Sequence, residues 1–141
     1  MSVSHHDIGE SPLDSAPFDV VNAIGVMFHI VDDARWKQAI CHLARALEPG
    51  GLMLIGGDFG ATTRDEQFHR KDNFGTWAQH DAGDEPPVRV NKRVRSLAAW
   101  AAAAAESGLE IVDLVRSDCS PAIRTPENDL LVLMRSGAQR G

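Results

Sequence analysis

Near the start of the chain, apolar positions form two short runs separated by a segment with helical periodicity. Residues 18–24 (FDVVNAI) are mostly apolar and include β-branched side chains, and Pro17 and Gly25 flank them. Such a run predicts a strand that is buried on both faces. Residues 52–55 (LMLI) form the second run. A strand, a helix and a strand in this order predict a parallel crossover unit.

The segment between the two runs predicts an amphipathic helix that Asp32 or Asp33 caps. Its apolar residues recur every three or four positions and mark one helix face, namely Trp36, Ile40, Leu43 and Leu47. We expect its polar residues to lie largely on the solvent side, namely Arg35, Lys37, Gln38, His42, Arg45 and Glu48. Pro49 cannot continue the helix, and Gly50 and Gly51 allow the chain to turn back.

The last third of the chain predicts a second helix followed by two strands. Ser96 is a candidate N-cap and Gly108 a stop, and an alanine-rich stretch lies between them. We expect the buried face of this helix to contain Leu97, Trp100, Ala101 and Ala104. Residues 109–115 and 129–134 are apolar, and the loop between them is too short for a crossover helix, which predicts antiparallel pairing. The basic residues before the helix form either a solvated face or an anion site, namely Arg89, Lys92, Arg93 and Arg95.

Residues 56–90 are the least regular part of the chain. Their aromatic residues either pack over the sheet or line the mouth of an apolar pocket, namely Phe59, Phe68, Phe74 and Trp77. The pattern assigns no role to Asp58, His69 or His80, or to the indole of Trp77.

Composition narrows the range of functions. The length of 141 residues predicts one domain, and the net charge of −6 argues against broad binding of nucleic acid. No apolar run is long enough to predict a membrane span, and the first residues do not have the pattern of a signal peptide. Cys41 and Cys119 lack metal-type spacing and predict free thiols in a cytoplasmic protein. His5, His6 and Asp7 predict a solvated loop and no metal site, because no further ligand follows at a useful spacing.

Taken in order, these residues resemble the second half of a class I S-adenosylmethionine-dependent methyltransferase. FDVV at residues 18–21 resembles the fourth strand of that family, GVMFHIVDD at 25–33 the loop after it, and LEPGG at 47–51 the turn before the fifth strand. The resemblance implies an α/β fold, a partial Rossmann-like doubly wound sheet. This sheet would contain strands four to seven of the family's seven strands, with the last strand antiparallel.

The resemblance also implies that the chain is a single domain, the C-terminal portion of a methyltransferase domain. Residues 1–17 would lead into it, and residues 18–60 would form the strand–helix–strand core. Residues 61–90 would be a variable region on the acceptor side, and residues 91–136 would form the helix and the terminal antiparallel strands.

A cofactor site for S-adenosylmethionine follows from the same resemblance. Asp7 and Ile8 occupy the place at which the family's carboxylate accepts a hydrogen bond from the adenine amino group, and an ordinary loop aspartate is the alternative. Ile24, Gly25 and Val26 would lie beside the methionine portion, because ligands of such sheets bind outside the carboxyl ends of the strands.

The implied reaction is methyl transfer from S-adenosylmethionine to a small-molecule acceptor. Such a displacement depends mainly on proximity and alignment, and a base is needed only if the acceptor must lose a proton. His29 is the candidate catalytic residue, because imidazole exchanges protons near neutral pH. The alternative is a histidine whose hydrogen bonds fix the loop.

Two features of the family are missing from the 141 residues. They contain no glycine-rich turn of the G-x-G-x-G kind and no matching acidic residue for the cofactor ribose. We therefore expect a truncated or incomplete methyltransferase, in which residues 18–24 form an exposed edge strand. A second copy of the chain or the missing N-terminal half would then be its partner. The alternatives are a non-catalytic remnant or assembly subunit, and a nucleotide-cofactor oxidoreductase of similar fold.

Overall fold

A computed structural model describes residues 2–15, 17–56, 66–70, 77–80, 92–115 and 129–137, with only the backbone of 66–70 and 77–80. The elements in chain order are β1 (Phe18–Asn22), a 3₁₀ helix (Met27–His29), α1 (Asp33–Arg45), β2 (Leu47–Gly56), β3 (Glu66–Arg70), β4 (Trp77–His80), β5 (Lys92–Val94), α2 (Leu97–Glu106), β6 (Leu109–Val115) and β7 (Leu130–Arg135). Predictions made for Asp58, Phe59, Phe74, Arg89 and Cys119 concern residues outside the described ranges.

Four strands form a mixed sheet in the order β1–β2–β7–β6. β1 runs parallel to β2, with Val21 opposite Met53, and α1 connects the two strands, which confirms the predicted crossover unit. β7 runs antiparallel to both β2 and β6. The predicted antiparallel ending is therefore confirmed, and the terminal strand is inserted beside the second strand of the crossover unit.

The hydrophobic core joins one face of this sheet to both helices. The buried strand residues lie opposite one another across neighbouring strands, namely Val21, Met53, Ile55, Leu131 and Leu133. The helices contribute Trp36, Ala39, Ile40 and Leu43 from α1, and Trp100, Ala103 and Ala104 from α2. The rings of Trp36 and Trp100 meet edge to face, with their centroids 4.8 Å apart.

β1 is less buried than its sequence predicts. Val21 is its one buried residue, whereas the side chains of Phe18 and Val20 are 38% and 53% exposed. The prediction of burial on both faces is therefore wrong for the described residues. The physical reason is that β1 pairs only with β2 among the described strands, so it is an edge of the sheet, as the resemblance implied.

α1 begins as predicted and ends earlier. The carboxylate of Asp32 accepts a hydrogen bond from the Arg35 N–H at 2.8 Å and caps the helix. The helix ends at Arg45, and Leu47 belongs to β2, where it lies opposite Phe18. The placement of Leu47 on the helix face is therefore wrong, because pairing with β1 begins before the proline that was expected to end the helix.

His42 also departs from its prediction. It was expected on the solvent side of α1, and it is only 4% exposed. Its Nδ1 atom lies 2.7 Å from the carbonyl oxygen of Ile8. The N-terminal segment therefore covers this side of the helix.

The predicted turn at residues 47–51 is a bulge within β2. Phe18 lies opposite Leu47 and Val20 lies opposite Leu52, so the register shifts between them. Gly50 has a φ of +82°, which favours glycine. The bulge lets the chain turn without leaving the sheet.

α2 also confirms its predicted cap. The hydroxyl of Ser96 accepts a hydrogen bond from the Ala99 N–H at 3.2 Å. The predicted buried face is wrong at one position, because Ala103 is buried and Ala101 is exposed. A run of alanines has no strong preference for one face, so neighbouring elements decide which alanine is buried.

β3, β4 and β5 form a second, antiparallel sheet in the order β4–β3–β5. The sequence pattern did not predict strands at β3 and β4. These strands contain His69, Trp77 and His80, whose roles the sequence left open. None of the helices in the described ranges is both long and apolar enough to cross a lipid bilayer.

Candidate functional site

The candidate site lies where β1 ends and the chain turns toward α1. Beyond β1, the Ala23 N–H donates to the Leu54 carbonyl at 2.9 Å, and the Gly25 N–H donates to the Gly56 carbonyl at 2.7 Å. The chain then forms the 3₁₀ helix that contains His29. The end of β2 thus holds this loop at the carboxyl end of a parallel pair, where α/β sheets bind their ligands.

Gly25 has a backbone conformation that favours glycine. Its φ is +72°, and a Cβ atom built there meets nothing within 4 Å. Its place beside the methionine portion of a cofactor stays a prediction. Glycine is favoured because the loop needs a left-handed backbone conformation at this position.

The N-terminal turn (residues 7–11) forms the opposite side of the site. The Oδ1 atom of Asp7 accepts a hydrogen bond from the Gly9 N–H at 2.9 Å, and the Glu10 N–H donates to the Asp7 carbonyl at 3.0 Å. The Oδ2 atom of Asp7 lies 2.9 Å from the Arg35 guanidinium on α1. The carboxylate stays half exposed and retains lone pairs for another donor.

Between the loop and the N-terminal turn lies a cleft of about 380 Å³, which we call the β1 cleft. It brings together five of the six predicted site residues, together with three neighbours. Its lining consists of His5, His6, Asp7, Ile8, Gly25, Val26, His29 and Ile30. Ile24 is not in this lining, although its side chain is half exposed nearby. A second cleft of about 340 Å³ shares Asp7, His29 and Ile30 with the first and extends to Asp32 and Arg35.

His29 lies on the wall that the two clefts share. Its ring is exposed and packs against the ring of Phe28, with the centroids 4.1 Å apart. Both of its predicted roles, an acid–base group and a residue that fixes the loop, stay predictions. No group of three His, Cys, Asp or Glu side chains in the described part of the chain is arranged to hold a metal ion.

Arg95 is a residue that sequence reasoning assigned to the wrong environment. The basic residues before α2 were expected to form a solvated face or an anion site, yet Arg95 is 2% exposed and Lys92 is 5% exposed. Arg95 donates to the carbonyl oxygens of Ile30 and Val31 at 2.9 and 3.2 Å. Its guanidinium therefore supports the wall of the second cleft from behind.

Asp33 and Trp36 complete the surroundings of this guanidinium. The Arg95 Nε atom donates to Asp33 Oδ1 at 3.1 Å, and the Arg95 Cζ atom lies 4.3 Å from the Trp36 ring centroid. Arg93 also lies 2.9 Å from Asp33 Oδ1. Asp33 was predicted only as a possible helix cap, and no local pattern links it to a basic residue 62 positions later.

Comparison with known protein families finds one that covers the start of this chain. A family model described as methyltransferase domain matches residues 1–55. The match includes the N-terminal turn, β1, the loop with His29, α1 and most of β2. A comparison with curated protein sequences finds no match.

Solved structures resemble nearly the whole chain. One is S-adenosylmethionine-bound CalS10, an amino pentose methyltransferase from Micromonospora echinaspora involved in calicheamicin biosynthesis, with 16% identity and a TM-score of 0.57 over 93% of this chain. Another is an S-adenosylmethionine-dependent methyltransferase from Clostridium acetobutylicum, with 14% identity and a TM-score of 0.58 over 95% of this chain. A third is the N-methyltransferase NodS from Bradyrhizobium japonicum, with 19% identity and a TM-score of 0.54 over 93% of this chain.

The chain spans only part of each of these relatives. It covers 63% of CalS10, 64% of the Clostridium protein and 52% of NodS. At identities of 14–19%, these similarities establish the fold.

Proposed function

We propose that this chain, which has the fold of a class I S-adenosylmethionine-dependent methyltransferase domain, contributes to methyl transfer from S-adenosylmethionine to a small-molecule acceptor. The observation that carries the proposal is the β1 cleft, which combines a half-exposed carboxylate with apolar walls. Adenine has a polar edge and an apolar face, so this combination suits it.

The residues of the cleft fit the adenosyl part of the cofactor. The carboxylate of Asp7 accepts the hydrogen bond of the exocyclic amine, and Ile8 offers apolar contact to the ring. Ile24, Gly25 and Val26 would lie beside the methionine portion. When bound, the cofactor supplies a methyl group on a positively charged sulfur.

His29 would handle a proton when the acceptor must lose one. A free ring nitrogen would accept the proton of a hydroxyl acceptor as the new oxygen–methyl bond forms, or the proton of an ammonium acceptor before the freed nitrogen lone pair attacks the methyl group. The exposure of the ring on the wall shared by both clefts supports this assignment. The amino pentose acceptor of one structural relative supports a small polar acceptor.

The described cleft accounts for only one side of the cofactor site. The 141 residues contain no G-x-G turn, whose backbone could approach the cofactor closely. We infer that residues outside these 141, or another polypeptide, supply that turn. The exposed edge of β1 is the place where a further parallel strand pairs, and a second copy of the chain is the alternative partner.

The free thiol of Cys41 favours a cytoplasmic location.

Calorimetric titration with S-adenosylhomocysteine tests the proposal, because this product keeps the adenosyl group and does not transfer methyl. We expect saturable binding with a Kd between about 1 μM and 1 mM. Asp7→Asn keeps the oxygen that accepts from the Gly9 N–H and replaces the other carboxylate oxygen with an amide donor. We expect it to weaken binding about tenfold.

Asp14→Asn is the matched control, because Asp14 is an exposed carboxylate of the same segment that does not line the cleft. Equal binding by the wild type and Asp7→Asn would remove Asp7 from the adenine site. A folded chain that gives no heat up to millimolar ligand would favour the non-catalytic subunit, which the missing glycine turn also supports. Displacement of the ligand by a nicotinamide dinucleotide would favour the oxidoreductase.

A further inference from the structure

His42 lies behind the N-terminal turn and does not line the β1 cleft. Its ring is 4% exposed, and its two nitrogens face different parts of the molecule. Nδ1 lies 2.7 Å from the Ile8 carbonyl oxygen, and Nε2 lies 2.7 Å from the side-chain nitrogen of Gln38. A carbonyl only accepts, so Nδ1 must donate to Ile8, and in a neutral ring Nε2 then accepts from Gln38.

The hydrogen bond of His42 holds Ile8, which is one of the residues that line the β1 cleft. Ile8 lines the β1 cleft, and its carbonyl is fixed from the opposite side by a buried donor. One turn of α1 before Gln38, Arg35 holds the carboxylate of Asp7. Arg35, Gln38 and His42 are spaced three and four residues apart, so they lie along one side of α1.

We propose that His42 is a positioning residue that fixes the N-terminal turn against α1 and thereby sets the place of Asp7 and Ile8 on the cleft wall. The ion pair of Asp7 with Arg35 is half exposed and screened by water, so it positions the turn only weakly. The hydrogen bond of His42 to Ile8 is part-buried, with His42 itself 4% exposed, so water competes with it less than with the ion pair. The inference rests on the proposed function in taking this wall as the adenine side.

His42→Leu and His42→Asn separate positioning from simple burial. Leucine keeps the apolar volume and removes the donor. Asparagine places an amide N–H close to the position of Nδ1 and restores the donor to Ile8. Arg45→Leu is the control for an added leucine on α1, because Arg45 is exposed in the last turn of the helix.

Hydrogen–deuterium exchange of the full chain without ligand is the first measurement. In His42→Leu we expect the amides of Gly9, Glu10 and Ser11 to exchange about tenfold faster, while amides of β2 and β7 keep their wild-type rates. His42→Asn should recover most of the protection, and Arg45→Leu should match the wild type. Unchanged exchange at the turn in His42→Leu would overturn the proposal, and so would an equal increase throughout the sheet.

Titration with S-adenosylhomocysteine is the second measurement. If the wild type binds, His42→Leu should weaken binding about tenfold and His42→Asn should restore it. Full affinity in His42→Leu would overturn the role of His42 in the cofactor site. If the wild type does not bind, the proposed function fails for this chain, and the exchange rates alone decide whether His42 positions the turn.

Discussion

Gly25 and Gly51 need glycine for different physical reasons, and substitution separates them. Gly25 has a left-handed backbone with open space around it, so Gly25→Ala should cost about 1 kcal/mol of unfolding free energy. At Gly51, a Cβ would lie 2.9 Å from the Glu48 carbonyl oxygen and 3.1 Å from that of Asp19. Gly51→Ala therefore forces the bulge apart and should cost about 3 kcal/mol. Urea denaturation measures both values.

Asparagine at Gly25 is the control for this comparison. Asparagine tolerates the left-handed region better than alanine does, so Gly25→Asn should lose less stability than Gly25→Ala. At Gly51 the obstacle is a steric contact, and asparagine should be no better than alanine there. Equal losses for alanine at both glycines would contradict the distinction.

Single residues were predictable from sequence where their partners are local. Asp32 and Ser96 cap helices through amides three positions later, so the chain pattern alone identifies them. His42 and Arg95 have partners 34 and 62 positions away, and they were assigned to solvent or to an anion site. Helical periodicity separates the polar face of a helix from its apolar face. It does not show which residues of the polar face another segment covers.

Arg95 lies just before α2 and links it to α1 and to the loop before α1. Its guanidinium is buried against Asp33, the carbonyls of Ile30 and Val31, and the ring of Trp36. Arg95→Met removes these hydrogen bonds and leaves two carbonyls without that donor, so we expect a loss of about 3 kcal/mol in unfolding free energy. Chemical denaturation provides the measurement.

Arg95→Lys and Arg45→Met are the controls for this connection. Lysine keeps the charge but lacks the planar fork, so it should recover less than half of the lost stability. Arg45 is exposed, and Arg45→Met should change stability by less than about 0.5 kcal/mol. A lysine variant as stable as the wild type would show that charge alone, without directed hydrogen bonds, suffices at this position.

Some strands and helices could be predicted from the sequence, and others could not. β2, β7 and both helices follow from apolar periodicity, because their buried faces repeat at the period of the element. β3 and β4 lie in a polar stretch with aromatic residues that has no such pattern. β3 pairs antiparallel with both β4 and β5, and such pairing cannot be read from a local pattern. Gly25, Val26 and His29 were placed near a ligand because they follow a strand, whereas Asp7 and Ile8 were placed there only through the resemblance. The two groups meet because of the crossover and the contacts of the N-terminal turn with α1.

For the whole molecule, the decisive feature is the open edge of the sheet at β1. Phe18, Val20 and Ile24 are exposed apolar residues at or near this edge, and the backbone of β1 has a described strand partner on one side only. Such an edge pairs readily with another strand. We therefore expect the isolated 141-residue chain to self-associate at concentrations of about 10–100 μM, which sedimentation velocity would detect.

Charge placed on the edge should prevent this association if β1 is the contact. Val20→Lys puts a charge beside the open backbone groups and should weaken association at least about tenfold. Val112→Lys is the matched control, because Val112 is similarly exposed on β6 at the other end of the sheet, between Glu110 and Asp113, which already discourage pairing. If Val20→Lys still self-associates and Val112→Lys does not, the contact lies at β6 and not at β1. An edge at β1 that pairs in solution is also the edge that we propose for a further strand bearing the glycine-rich turn.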